Sequence, residues 1–132
     1  MKMNKRGFTL IELLAVIVIL AIIALIATPL ILNVIDEARL GAAKNSAYGY
    51  ASAVENYLAF EQLNPESTVD LDGSFTDTTV AIKGTRPTDV SLTLSKGAIV
   101  GGYMIIDNYY ITFDEDGKIN SATKTDVTAI SE

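Results

Sequence analysis

The chain has 132 residues, a formal charge of −6 and a mean hydropathy of +0.32, high for a small soluble protein, so apolar residues must be concentrated somewhere. It contains no Cys and no His, which excludes disulfides, zinc sites built from those ligands, and any mechanism that uses either side chain. All sixteen acids follow residue 7, so the bulk of the chain lacks the basic footprint that nonspecific binding to nucleic acid requires.

The chain opens with Lys2, Lys5 and Arg6 and then turns apolar. Residues 13–27 are fifteen apolar residues without a break, and after Thr28 the run continues through Pro29, Leu30, Ile31 and Leu32. With Phe8, Leu10 and Ile11 in front, it reaches the roughly 20 residues a helix needs to cross a bilayer. A basic flank before such a span predicts a cytoplasmic N-terminus and an exported remainder. The run is longer than the apolar middle of a cleavable secretory signal, and no A-x-A-like site follows it. A plain anchor accounts for length and charge but leaves Glu12 unexplained. A carboxylate costs about 2.5–3.5 kcal/mol at the bilayer centre, and less nearer the interface.

The segment Lys5-Arg6-Gly7-Phe8-Thr9-Leu10-Ile11-Glu12 resembles the cleavage and methylation signal of type IV prepilins. The resemblance implies a leader ending at Gly7, cleaved on the cytoplasmic side by a membrane prepilin peptidase, and a new N-terminus at Phe8 that becomes N-methylated. Gly7 lets the chain enter a protease cleft extended without a side chain in the way. A methylated amine keeps its positive charge. In this family the acid of an incoming subunit faces the N-terminal ammonium of a neighbour, so Glu12, with Phe8 and Thr9, is expected to set the register of assembly. A partner cation offsets the cost of an acid in an apolar medium. Loss of residues 1–7 takes the formal charge from −6 to −9.

Helical pattern continues beyond the apolar run. Leu40, Ala43, Ala47, Tyr50, Val54 and Tyr57 recur at spacings of three and four, the stripe of a helix with one buried face. Pro65 predicts a stop near Leu63. A helix from Phe8 to Leu63 would be about 84 Å long. Pro29 removes a backbone donor inside it, which predicts a kink or a weak point, and a proline at this depth is found in many type IV pilins. Gly41 and Gly49 add backbone freedom.

Residues 65–132 have a different rhythm. Residues 78–83 and 89–94 alternate polar and apolar as half-buried strands do, with a turn at residues 83–87. Residues 102–106, 109–113 and 118–123 read as a three-stranded antiparallel meander, joined by Asp107-Asn108 and by Asp114-Glu115-Asp116-Gly117. It is expected to pack on the Tyr50/Val54/Tyr57 face of the helix. Tyr109 and Tyr110 should point to opposite faces, and Gly101-Gly102 fit a bulge or bend. Asp114, Asp116 and Asn120 are calcium candidates, but they lack the D-x-D-x-D-G order and distal Glu of an EF-hand, and an ordinary acidic hairpin turn is the preferred reading.

The expected fold is therefore α+β: a long N-terminal helix, membrane-spanning in its first half and amphipathic in its second, against a small antiparallel sheet. This is also the type IV pilin fold. The expected divisions are a cleaved leader over 1–7, an apolar assembly half over 8–35, an amphipathic half over 36–64, and a β-rich headgroup over 65–132. The absence of Cys resembles pilins of Gram-positive bacteria, since many Gram-negative pilins close their C-terminal region with a disulfide. No nucleophile–base pair or phosphate-cradling loop is present, so neither enzyme activity nor a cofactor is expected. The resemblance implies a pilus subunit that polymerises with itself into a surface fibre for adhesion, twitching or biofilm contact. Its other partners would be prepilin peptidase, an assembly platform with its ATPase and, before assembly, membrane lipid. The alternative is a pseudopilin of a type II secretion or competence system, and outside the family a simple anchored binding domain.

Overall fold

A computed structural model describes residues 3–125. One helix, α1 (Leu10–Gln62), is followed by five strands, β1 (Gly73–Phe75), β2 (Asp89–Ser95), β3 (Ala98–Ile106), β4 (Tyr109–Phe113) and β5 (Ile119–Lys124). The strands form one antiparallel sheet in chain order, β1-β2-β3-β4-β5. The chain divides into two compact units, one up to Ala38 and the other from Arg39.

In the first unit α1 runs unbroken through Pro29. Pro29 offers no N–H to the preceding turn, and beside it the Thr28 hydroxyl donates to the Ala24 carbonyl at 2.6 Å. The large apolar side chains of residues 13–26 are all between 50% and 79% exposed. Apolar groups thus occupy every side of the helix, and none of the described residues covers them.

The second unit holds the core. Ala43, Ala47, Tyr50, Ala51, Val54 and Leu58 form the buried stripe of α1. Opposite them stand the alternate residues of each strand: Val90, Leu92 and Leu94 from β2, Met104 and Ile106 from β3, and Tyr109, Ile111 and Phe113 from β4. The period-two pattern follows from the strand pleat. Ala43, Ala47 and Ala51 share the stripe with the larger Tyr50, Val54 and Leu58, and all six are buried in one cluster with the sheet residues. The Tyr50 hydroxyl donates to the Asp77 carbonyl, and burial pushes the phenol above the ordinary tyrosine range. On the outer face Tyr103 stacks on Tyr110 at 4.9 Å, while Tyr103 donates to Asp89. Tyr109 and Tyr110 do face opposite ways, Tyr109 into the core and Tyr110 outward.

Sequence reading placed the helix, its stripe and the last four strands, with ends shifted by no more than two residues except at β3, which begins at Ala98. Leu40 and Tyr57 are only partly buried, and Ala51 and Leu58 complete the stripe. Residues 78–83, expected as a strand, are irregular. Their alternation is real, since Val80 and Ile82 lean on the core, but they have no ladder partner. The edge of β2 is taken by β1, whose Phe75 pairs with Leu92. The meander therefore has five strands rather than three.

Both tight hairpins use left-handed backbone at their two central residues. Lys96 and Gly97 join β2 to β3, and Asp107 and Asn108 join β3 to β4; this conformation matches the twist of the flanking strands. The expected irregularity near Gly101-Gly102 is present. The register shifts between Thr93 and Leu94, which leaves Val100 unpaired. Gly102 has φ +105°, and a Cβ there would run into the Ser91 carbonyl and the Leu92 Cα, whereas one at Gly101 would meet Thr93 at an ordinary 3.9 Å. Gly102→Ala is therefore expected to destabilise the fold by about 3 kcal/mol and Gly101→Ala by less than about 1 kcal/mol. Urea denaturation followed by circular dichroism checks the contrast, and equal effects would contradict it.

Candidate processing and assembly site

The residues singled out at the N-terminus lie together where irregular chain becomes helix. Residues 3–9 have no regular structure, and Gly7 and Phe8 are exposed, Phe8 at 88%. A Cβ at Gly7 would meet nothing within 4 Å. The Gly7–Phe8 bond is thus sterically open, as an extended substrate requires.

Helix α1 starts immediately after, for a local reason. Thr9 is the N-cap: its carbonyl accepts from Leu13 N at 3.2 Å. Its hydroxyl accepts from the Glu12 amide at 3.3 Å, and Glu12 Oε2 in turn accepts from the Thr9 amide at 3.1 Å. This reciprocal pair is a capping box, satisfying two donors that a helix start otherwise leaves open. The carboxylate also lies in the first turn, where the helix dipole favours negative charge. Phe8 and Glu12, with Leu13, Ala15 and Val16, border one shallow apolar concavity.

The remaining candidates are elsewhere. Pro29 lies well along α1, away from this site. In the β4–β5 turn Asp114 Oδ1 accepts from the Asp116 amide at 3.0 Å and the Lys118 amide at 2.9 Å. Gly117 takes φ +71° there. One oxygen of Asp114 is therefore engaged by the turn itself, and among the described residues no group of three or more His, Cys, Asp or Glu side chains is arranged to hold a metal.

Comparison with protein families matches residues 2–28 to the prokaryotic N-terminal methylation motif. The chain carries that motif. Comparisons with curated proteins and with solved structures give no match. The motif is that of a type IV pilin-like or pseudopilin precursor, and it implies processing by prepilin peptidase and pilin-type assembly. Together with the long apolar helix that follows, it supports membrane anchoring. The helix with its antiparallel sheet is the α+β layout of the pilin fold.

The methylation motif contains one function that sequence reading passed over. Thr9 and Glu12 are the S/T-x-x-E/Q spacing of a capping box, legible without coordinates. Thr9→Ala should weaken the helix start by about 1 kcal/mol, and Thr9→Ser should keep it. Hydrogen exchange of the amides of residues 10–13 in detergent checks this: faster exchange in the Ala variant only is expected.

Proposed function

We propose that the chain is the structural subunit of a type IV pilus filament. It is inserted in the cytoplasmic membrane with its N-terminus inside and cut between Gly7 and Phe8. After N-methylation at Phe8 an assembly platform and its ATPase draw it into a helical homopolymer on the cell surface. The domain divisions follow this use: a leader over 1–7, an assembly half-helix over 8–35, an amphipathic half over 36–64, and a headgroup over 65–132.

The observation that carries this reading is the pairing of two features in one helix. Residues 13–26 expose apolar side chains on every side, and a carboxylate stands immediately before them at Glu12, in the first turn of α1. Lipid satisfies the first feature but not the second. Neighbouring copies satisfy both, because each brings an apolar helix and, once cut, a cationic amine at Phe8. An acid–amine contact between copies then fixes their axial register, since an unpaired charge in an apolar medium is expensive.

Protein sheared from the surface of producing cells is expected to begin at N-methyl-Phe8 by mass spectrometry. Glu12→Val should still be cut and membrane-inserted but should weaken each subunit contact by about 3 kcal/mol, roughly 100-fold, so that filaments disappear from electron micrographs. Wild-type protein recovered only as an uncut monomer would remove the filament reading. Normal filaments from Glu12→Val would remove the role of the acid.

A further inference from the structure

Beyond the leader the chain has two arginines, Arg39 and Arg86. They are 47 positions apart, yet both line one cleft of about 470 Å³, shared with Thr85, Thr88, Asp107 and Asn108. Arg39 comes from α1, Arg86 from the irregular chain between β1 and β2, and Asp107-Asn108 from the β3–β4 turn. Both arginines are exposed, and among the described residues Asp107 is the one acid on the cleft wall. Two guanidinium groups and two threonine hydroxyls against one carboxylate make this a place that welcomes acids. That is unusual on a chain whose charge falls to −9 without residues 1–7.

The opposite end of the same sheet carries the opposite charge. β3 and β4 pair at Ile106 and Tyr109 beside the cleft, and at Gly102 and Phe113 at the far end. There the chain turns through Asp114, Glu115 and Asp116, with Glu115 and Asp116 exposed. The length of β4 puts about 17 Å between the two features along the strands, so a single copy cannot bring its own turn to its own cleft. A socket at one end and a matching projection at the other form a head-to-tail pair, the kind of contact that repeats into an open helical assembly when the rotation does not close.

We propose that the Arg39/Arg86 cleft receives the Glu115-Asp116 turn of a second copy of this chain. The proposal rests on the filament reading and adds to it a contact between headgroups, independent of the apolar helices. Arginine suits the role because its planar fork can hold a carboxylate by two parallel N–H···O bonds. The Asp114 carboxylate stays with its own turn, which presents the next two acids in a fixed geometry. Between headgroups of like net charge, this contact selects one approach and disfavours the others.

The absence of Cys permits a direct test in the full-length chain within producing cells. Thr85→Cys places a thiol in the cleft and Lys118→Cys one beside the acidic turn, and both arginines and all three acids remain. Mild oxidation should join the double variant into a ladder of dimers, trimers and higher multimers, and neither single variant should form one. Adding R39E and R86E should reduce the ladder at least about tenfold, and further adding E115R and D116R should restore it. No ladder, a ladder indifferent to reversed charges, or cross-links to some other protein would overturn the proposal. Electron microscopy of the same cells separates the two readings. Filaments without a ladder remove the headgroup contact alone, a ladder without filaments leaves the contact and removes the filament, and absence of both removes both.

Discussion

The apolar surface of residues 13–26 governs the rest of the molecule. Eleven large aliphatic side chains surround that part of α1, each at least half exposed. Removing the remaining exposed area from water is worth on the order of 10 kcal/mol or more. That is comparable to the whole stability of a typical domain. No segment of the described chain supplies a covering, so the helix must lie in lipid or against other helices. The methylation motif that opens it is consistent with both, in sequence: an anchored precursor first, then a processed form whose new N-terminus is part of the apolar rod.

The second unit meets its own requirement by different means. Its core is one helix stripe against one face of a sheet, and with no Cys for a disulfide its cohesion rests on side-chain packing and hydrogen bonds. Ala43, Ala47 and Ala51 are buried in the stripe beside Tyr50, Val54 and Leu58. Gly102 lets β2 and β3 come together at a point no Cβ could occupy. Tyr50 reaches past the stripe to bond the irregular segment at Asp77. It thereby ties down chain that has no strand partner, with Val80 and Ile82 leaning on the core beside it.

Which parts were legible in the sequence follows from how local their causes are. The N-terminal methylation motif was readable because such a signal is a linear stretch of sequence. The last strands and their Asp107-Asn108 turn were readable because pleat alternation and left-handed turn residues are local properties. β1 was not, because Gly-Ser-Phe has little strand character of its own and becomes a strand only by pairing with residues 92–94. Residues 78–83 misled for the complementary reason: alternation reports which side chains face a core, and it says nothing of whether a neighbouring strand is free to pair. The two-arginine cleft was beyond reach, since nothing local joins residues 39 and 86. The capping box is as local as the turns, since Thr9 and Glu12 stand at the T-x-x-E spacing.

Those two roles of Glu12 are compatible, and the reason is stereochemical. An ionised carboxylate has two oxygens and about four lone-pair directions. The cap uses Oε2 for the Thr9 amide, so on the proposed reading Oε1 remains to accept from the amine of an adjoining copy. The cap does more than leave room. By tying the side chain back to the helix start it holds the carboxylate in one rotamer, so the partner amine meets an acceptor already in place, and less side-chain entropy is lost on contact. The proposed cut after Gly7 would leave Thr9 as the second residue of the processed chain, with its amide and hydroxyl intact, so the same box would persist without the leader. On that reading, a threonine at this position serves assembly indirectly, by positioning the acid. Replacing it by a residue that can neither cap nor orient Glu12 would weaken the register contact while leaving every charge unchanged.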